Sequence, residues 1–114
     1  MCVQYLTTVN IDWVKSHFDL HLPVSSSYDV FPTYPGPIVL KSHSTLRTAI
    51  GMARFGLIPS WAKDENFGRK TYNARAETVT EKPSYKKAWA KRHFALALAD
   101  AFYALIAVYS LSTI

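Results

Sequence analysis

The sequence predicts an α+β domain with more strand than helix. Three observations point there. At 114 residues the chain has the length of one ordinary domain. With 49% hydrophobic and 18% charged residues it can bury a core and is not a disordered tail. Its apolar positions alternate at period two in several segments, and show helical spacing in only two short ones.

Taken in order, residues 10–19 predict a short amphipathic helix, with Ile11, Val14 and Phe18 at i, i+3, i+7 and Asn10 as N-cap. Residues 23–37 hold Pro23, Pro32, Pro35, Gly36 and Pro37, a proline density that predicts an extended, stiff loop without regular ladders. Ile38–Lys41 and Leu46–Ile58 read as strands. In the second, Ala49, Gly51, Ala53, Phe55 and Leu57 share a face whose small residues predict close approach of another layer. Residues 59–70 are a polar loop carrying Trp61 and Phe67, and 71–75 form an extended segment. A helix is expected over 83–91, with Pro83 in its first turn and Tyr85 and Trp89 at i, i+4. Phe94, Leu96 and Leu98 alternate with alanines, a pattern that suits a half-buried strand and also permits a helix.

The charge balance narrows the partner classes. Thirteen Lys and Arg against eight Asp and Glu give +5, which favours a polyanion, and is also a normal solubility charge for a small domain. A single cysteine excludes a disulfide framework and a Cys-based zinc site, so a reducing compartment is the simpler assumption. His17, His21, His43 and His93 have no metal-ligand spacing, and no glycine-rich phosphate loop is present. The start, MCVQYLTTVN, is not a secretory signal. Residues 94–114 carry one charge, Asp100, in a stretch long enough to span a bilayer. That charge would cost roughly 2.5–3.5 kcal/mol on insertion, so a membrane is not the expected partner.

Three groups of residues could carry chemistry. Cys2 follows Met1, and aminopeptidase trimming at a small second residue would leave a free amine and a thiol on adjacent carbons. Such a 1,2-aminothiol condenses with an aldehyde to a Schiff base and closes to a thiazolidine. An N-terminal amine pKa of about 7.7–8.0 leaves a usable neutral fraction at pH 7. The bland reading is a small buried thiol. Next, in Tyr72-Asn73-Ala74-Arg75-Ala76-Glu77, an extended backbone would point Asn73, Arg75 and Glu77 to one face. An amide there can orient a carbonyl and a guanidinium can grip phosphate; a solvated Arg–Glu pair is the plain alternative. Finally, Lys63, Arg69, Lys70, Lys82, Lys86, Lys87, Lys91 and Arg92 interleave with Trp61, Phe67, Tyr72, Tyr85 and Trp89. That mixture suits single-stranded nucleic acid, or equally a solvated helix face over a few core rings.

Read together, MC at the start, YDVFPTYPGPIVL, FGLIPSWAKD, YNARAETV and KPSYKKAWAKRHFALALADAFY resemble, in order, the SOS response-associated peptidase (SRAP) family of abasic-site processing proteins. The likeness covers residues 1–103 and leaves 104–114 as a divergent apolar tail. It implies a β-rich SRAP-like fold, truncated after about half of the domain. It implies that Cys2 attacks the ring-opened aldehyde of an abasic site and forms a thiazolidine crosslink, after the same residue has released Met1. Asn73 matches the amide that holds the reacting sugar, and Arg75 a contact to the DNA backbone. Trp61 and Pro32 match parts of the wall that bends the strand. No metal or organic cofactor is implied. The partner is single-stranded or junction DNA, and the location the cytoplasm.

Departures accompany the likeness. The family's MCGR start is MCVQ here, and its ADGFYEW segment is ADAFYAL, so Ala104 stands where the family has a catalytic Glu. A later family His has no counterpart. The departures therefore predict slowed crosslinking, and either a degenerate, truncated product or a homodimer that covers an open sheet edge. Two other classes remain: a non-catalytic DNA-binding remnant using Arg75, Trp61 and residues 82–92, and a protein tethered to a membrane through 94–114.

Overall fold

The computed structural model describes residues 1–104. Two three-stranded antiparallel sheets make up the fold. The first has the order β2-β1-β6, from Asp29–Val30, Cys2–Thr7 and Ala99–Ala104. The second has the order β4-β3-β5, from Thr48–Arg54, Pro35–Lys41 and Ala95–Ala97. Helix α1, Ile11–Phe18, follows β1, a 3-10 helix covers Glu65–Lys70, and a short α2 spans Lys86–Ala90.

Leu98 joins the two sheets. Its N–H donates to the Pro37 carbonyl in one sheet, at 3.2 Å, and its carbonyl accepts from Thr8 N–H beside the other, at 3.3 Å. One residue thus turns the chain from β5 into β6 with its buried backbone groups satisfied. The Leu98 side chain packs with Val14 of α1 and Val39 of β3 to form the core, against which Phe18, Leu20, Leu22 and Ile50 lie.

The strand between Phe94 and Leu98 resolves as strand rather than helix, and α1 forms with the expected cap. Asn10 Oδ1 accepts from Trp13 N–H at 3.0 Å. Of the three apolar α1 positions Val14 is buried, Phe18 is half-buried and Ile11 is exposed, so the buried stripe is narrower than its spacing suggests.

Several expectations are corrected. Pro35 and Pro37 lie inside β3, paired with Arg54 and Met52. Their carbonyls accept from Tyr28 Oη and Leu98 N–H, on the side away from β4. Because N–H and C=O of one strand residue point the same way, the missing proline donors leave the β4 ladder whole. The strand expected over 46–58 stops at Arg54 and the helix expected over 83–91 shortens to Lys86–Ala90. Of the face expected to meet another layer or backbone, Phe55 packs on Tyr5 while Gly51 has open space, since a Cβ there would meet nothing within 4 Å. A close backbone approach occurs at Gly56, φ 133°, where a Cβ would run into the carbonyl of Gly68. No helix of the described residues is long and apolar enough to cross a membrane. Residues 94–104 of the expected span are mainly strand, and 105–114 lie outside the described residues.

Candidate active site

Cys2 opens β1, and its backbone is held by a side chain from 71 residues away. Cys2 N–H donates to Asn73 Oδ1 at 3.1 Å, and Asn73 Nδ2 donates to the Cys2 carbonyl at 2.8 Å. The amide thereby pairs with the Cys2 backbone as a strand residue would, beyond the reach of β2, which pairs β1 only at Tyr5 and Leu6. Asn73 is fixed in turn from behind, because Tyr85 Oη donates to its carbonyl at 2.7 Å. Burial pushes the Tyr85 phenol above its ordinary pKa, so it stays a donor through neutral pH.

The Cys2 Sγ lies 3.5 Å from the Gln4 carbonyl, and the residue is half-buried. It borders a cleft of about 380 Å³ between the sheets, whose rings come from Tyr5, Phe55, Tyr72 and Phe102. Tyr5 and Phe55 meet at a tilt of 38° with 5.3 Å between centroids, and Phe55 meets Tyr72 edge-on at 5.6 Å. Burial first, then Tyr28 and Cys2 nearby, raise the Tyr5 pKa, which keeps that hydroxyl neutral.

A bulge decides which side chains share this face. Cys2 pairs with Ala104 and Gln4 with Tyr103, so β1 advances two residues while β6 advances one. The extra residue, Val3, shifts the strand period and puts Cys2 on the cleft side with Tyr5, three positions on. Ala104 then stands directly across the ladder from Cys2, two residues beyond Phe102, which also lines the cleft.

The sequence-predicted residues separate into two groups. Cys2 and Asn73 meet. Arg75, Trp61 and Pro32 are not among the residues lining the Cys2 cleft. The extended segment expected over 71–75 is a loop followed by turns, in which Thr78 and Val79 N–H donate back to the Arg75 carbonyl. Arg75 therefore does not share a strand face with Asn73. Its side chain is 83% exposed and 3.6 Å from Glu77. Trp61 is exposed and packs edge-on against Phe67 at 5.0 Å. Pro32 sits in a turn docked on the cleft wall, where Thr33 N–H donates to the Phe55 carbonyl and Phe55 N–H to that of Tyr34. Sequence reasoning missed Tyr5 and Phe102, and read Tyr85 as a ring for stacking bases rather than as the support of Asn73. The signal for Tyr5 and Phe102 was blurred by the bulge, which breaks the alternation that would have grouped them with Cys2.

The profile of the family described as SOS response associated peptidase (SRAP) matches residues 1–104. The abasic site processing protein YoqW of Bacillus subtilis is 38% identical, covering 90% of this chain and 47% of its own length. The abasic site processing protein HMCES of Xenopus tropicalis is 32% identical, over 81% of this chain and 29% of its own. A crystal structure from Bordetella bronchiseptica superposes with a TM-score of 0.71 at 26% identity, over 90% of this chain and 50% of that one. The chain thus spans about half the length of the Bacillus relative it matches.

Proposed function

The chain belongs to the SOS response-associated peptidase family, and on that premise we propose that it captures abasic sites in DNA through Cys2. The observation that carries the reading is the two-point hold of Asn73 on the Cys2 backbone at the mouth of the cleft. Removal of Met1, by Cys2 itself or by an aminopeptidase, turns the Cys2 amide into an amine. Asn73 Oδ1 can still accept one of its hydrogens, which aims the nitrogen lone pair away from Asn73.

The chemistry balances without a cofactor. The neutral amine adds to the aldehyde carbon of the ring-opened sugar, and the carbinolamine loses water to give an imine. The thiol sulfur then adds to the imine carbon, its proton passes to nitrogen, and a thiazolidine links protein to DNA. Ring opening of the sugar is the step that calls for an acid, and Ala104 offers none. Without a positioned acid–base group the reaction runs about 10²–10⁴ slower than with one.

In this reading Arg75 holds the DNA backbone, its exposed guanidinium having only Glu77 as an acidic partner among the described residues. Trp61 and the Pro32 turn meet the strand outside the cleft. Single-stranded or junction DNA is the expected form, since duplex would not admit its sugar to so small an opening. A second copy covering β6 is also proposed, because among the described residues β6 is an edge strand and Phe102 on it is 73% exposed. Sedimentation of the purified chain measures that.

The test is a denaturing gel of the protein incubated with a single-stranded oligonucleotide bearing one abasic site, beside Cys2→Ser. A shifted band that requires Cys2 is expected. Folded protein that binds the oligonucleotide but yields no band supports the second reading, a non-catalytic DNA-binding remnant, which the loss of the acid at position 104 favours.

A further inference from the structure

A second cleft, of about 290 Å³, lies between the 57–61 loop and α2 and shares no lining residue with the Cys2 cleft. Trp61 stands on one wall. The other carries Ser84, Lys87, Ala88 and Lys91, at i, i+3, i+4 and i+7, one face of α2 and the turns beside it. No carboxylate lines the cleft, and among the described residues neither lysine is in an ion pair. Like charges four apart work against a helix, which offsets part of what Lys87 in the last turn and Lys91 at the C-cap of α2 gain from its dipole. A cleft lined by two lysines outside any ion pair and by an exposed indole suits an anion that also has a flat face.

We propose that this cleft holds one nucleotide of an undamaged single strand, its phosphate on Lys87 and Lys91 and its base on Trp61. The inference rests on the reading of the chain as a DNA-binding protein and adds a site apart from the reacting cysteine. It makes binding independent of sequence and of damage, since any base has a face to stack and any nucleotide a phosphate. The strand would be held here while the lesion is presented to Cys2.

Fluorescence anisotropy with a labelled oligothymidine tests it, using the full chain. Lys87→Gln with Lys91→Gln should weaken binding about tenfold at ~0.1 M salt. It should also lower the slope of log affinity against log salt by about 1.4, from two lost contacts at roughly 0.7 each for single strands. Lys87→Arg with Lys91→Arg should keep the slope. In both variants glycolaldehyde should add to Cys2 at the wild-type rate by intact-mass spectrometry, which reports that the fold is retained. Unchanged affinity and slope in the glutamine variant overturn the proposal and leave abasic-site capture standing. So does wild-type protein that crosslinks abasic DNA but does not bind oligothymidine, or that binds polyglutamate equally well. Protein that neither binds nor crosslinks DNA overturns both readings.

Discussion

Cys2 and Ala104 are paired across the β1–β6 ladder, and Cys2 and Phe102, two residues before Ala104, line the aromatic cleft. Directly opposed residues of antiparallel strands have Cβ atoms about 4.5–5.5 Å apart. A glutamate at 104 would thus carry its carboxyl group within reach of whatever carbon Cys2 attacks. Ala104→Glu is expected to raise the rate of crosslinking to abasic DNA by about 10²-fold or more, toward the worth of a positioned general acid. Single-turnover gels of the two proteins measure it. An unchanged rate would mean that ring opening does not limit this chain.

Asn73 does two jobs, holding the start of β1 and aiming the Cys2 nitrogen. Asn73→Ala removes both hydrogen bonds to the Cys2 backbone and leaves half-buried groups to find water instead. We expect a stability loss of about 1–3 kcal/mol, the usual consequence of unmaking such bonds. We also expect a fall of at least tenfold in the Cys2 adduct rate, because the amine is no longer aimed. Tyr85→Phe removes only the bond to the Asn73 carbonyl and should give a smaller loss of both. Thermal melts and adduct rates with a small aldehyde check the order wild type, Tyr85→Phe, Asn73→Ala.

How much of this was legible depended on whether a feature is local. The α1 cap needs only Asn10 and its neighbours, and the sequence located it to the residue. The Cys2–Asn73 pair spans the whole domain, and only the resemblance to a family put those residues in one site. The β3 prolines misled because the ban on proline in ladders depends on which side its nitrogen faces, and that is set by β4 and Leu98, far along the chain. The tight backbone contact at Gly56 was not legible for the same reason. Gly51 lies among small residues in sequence, while Gly56 lies against Gly68 in space.

That difference between the glycines is testable. Gly56→Ala must hold a Cβ at φ 133° and push it into the Gly68 carbonyl, a backbone atom group that cannot swing aside. The loop that carries Trp61 is tied at this point, where Thr71 Oγ1 donates to the Leu57 carbonyl at 2.5 Å. We expect a loss of about 2–4 kcal/mol for Gly56→Ala, combining strained backbone and overpacking. Gly51→Ala, with open space around it, should stay within about 0.5 kcal/mol of wild type. Chemical denaturation of the two variants settles the comparison, and equal losses would contradict the Gly56–Gly68 contact.

The buried phenols predict how stability responds to alkali. Tyr5 has its pKa raised above 10.0, by burial first and then by Tyr28 and Cys2, and Tyr85 is raised by burial. For an acid that is neutral when protonated, a raised folded-state pKa means that the unfolded chain gives up its proton first. Below pH 10 both states are protonated and the folded state keeps its full advantage. As the pH rises past 10, the unfolded state is stabilised by ionisation and the fold loses stability progressively until the folded-state pKa is reached. Tyr5 should dominate, because its hydroxyl packs against Gly36, leaving no room there for a hydration shell. Tyr5→Phe should therefore melt with a flatter pH dependence between pH 9.5 and 11 than wild type, on the basis of proton linkage at about 1.4 kcal/mol per pH unit for one fully coupled group. Parallel slopes in the two proteins would show that Tyr5 ionises as freely in the fold as outside it.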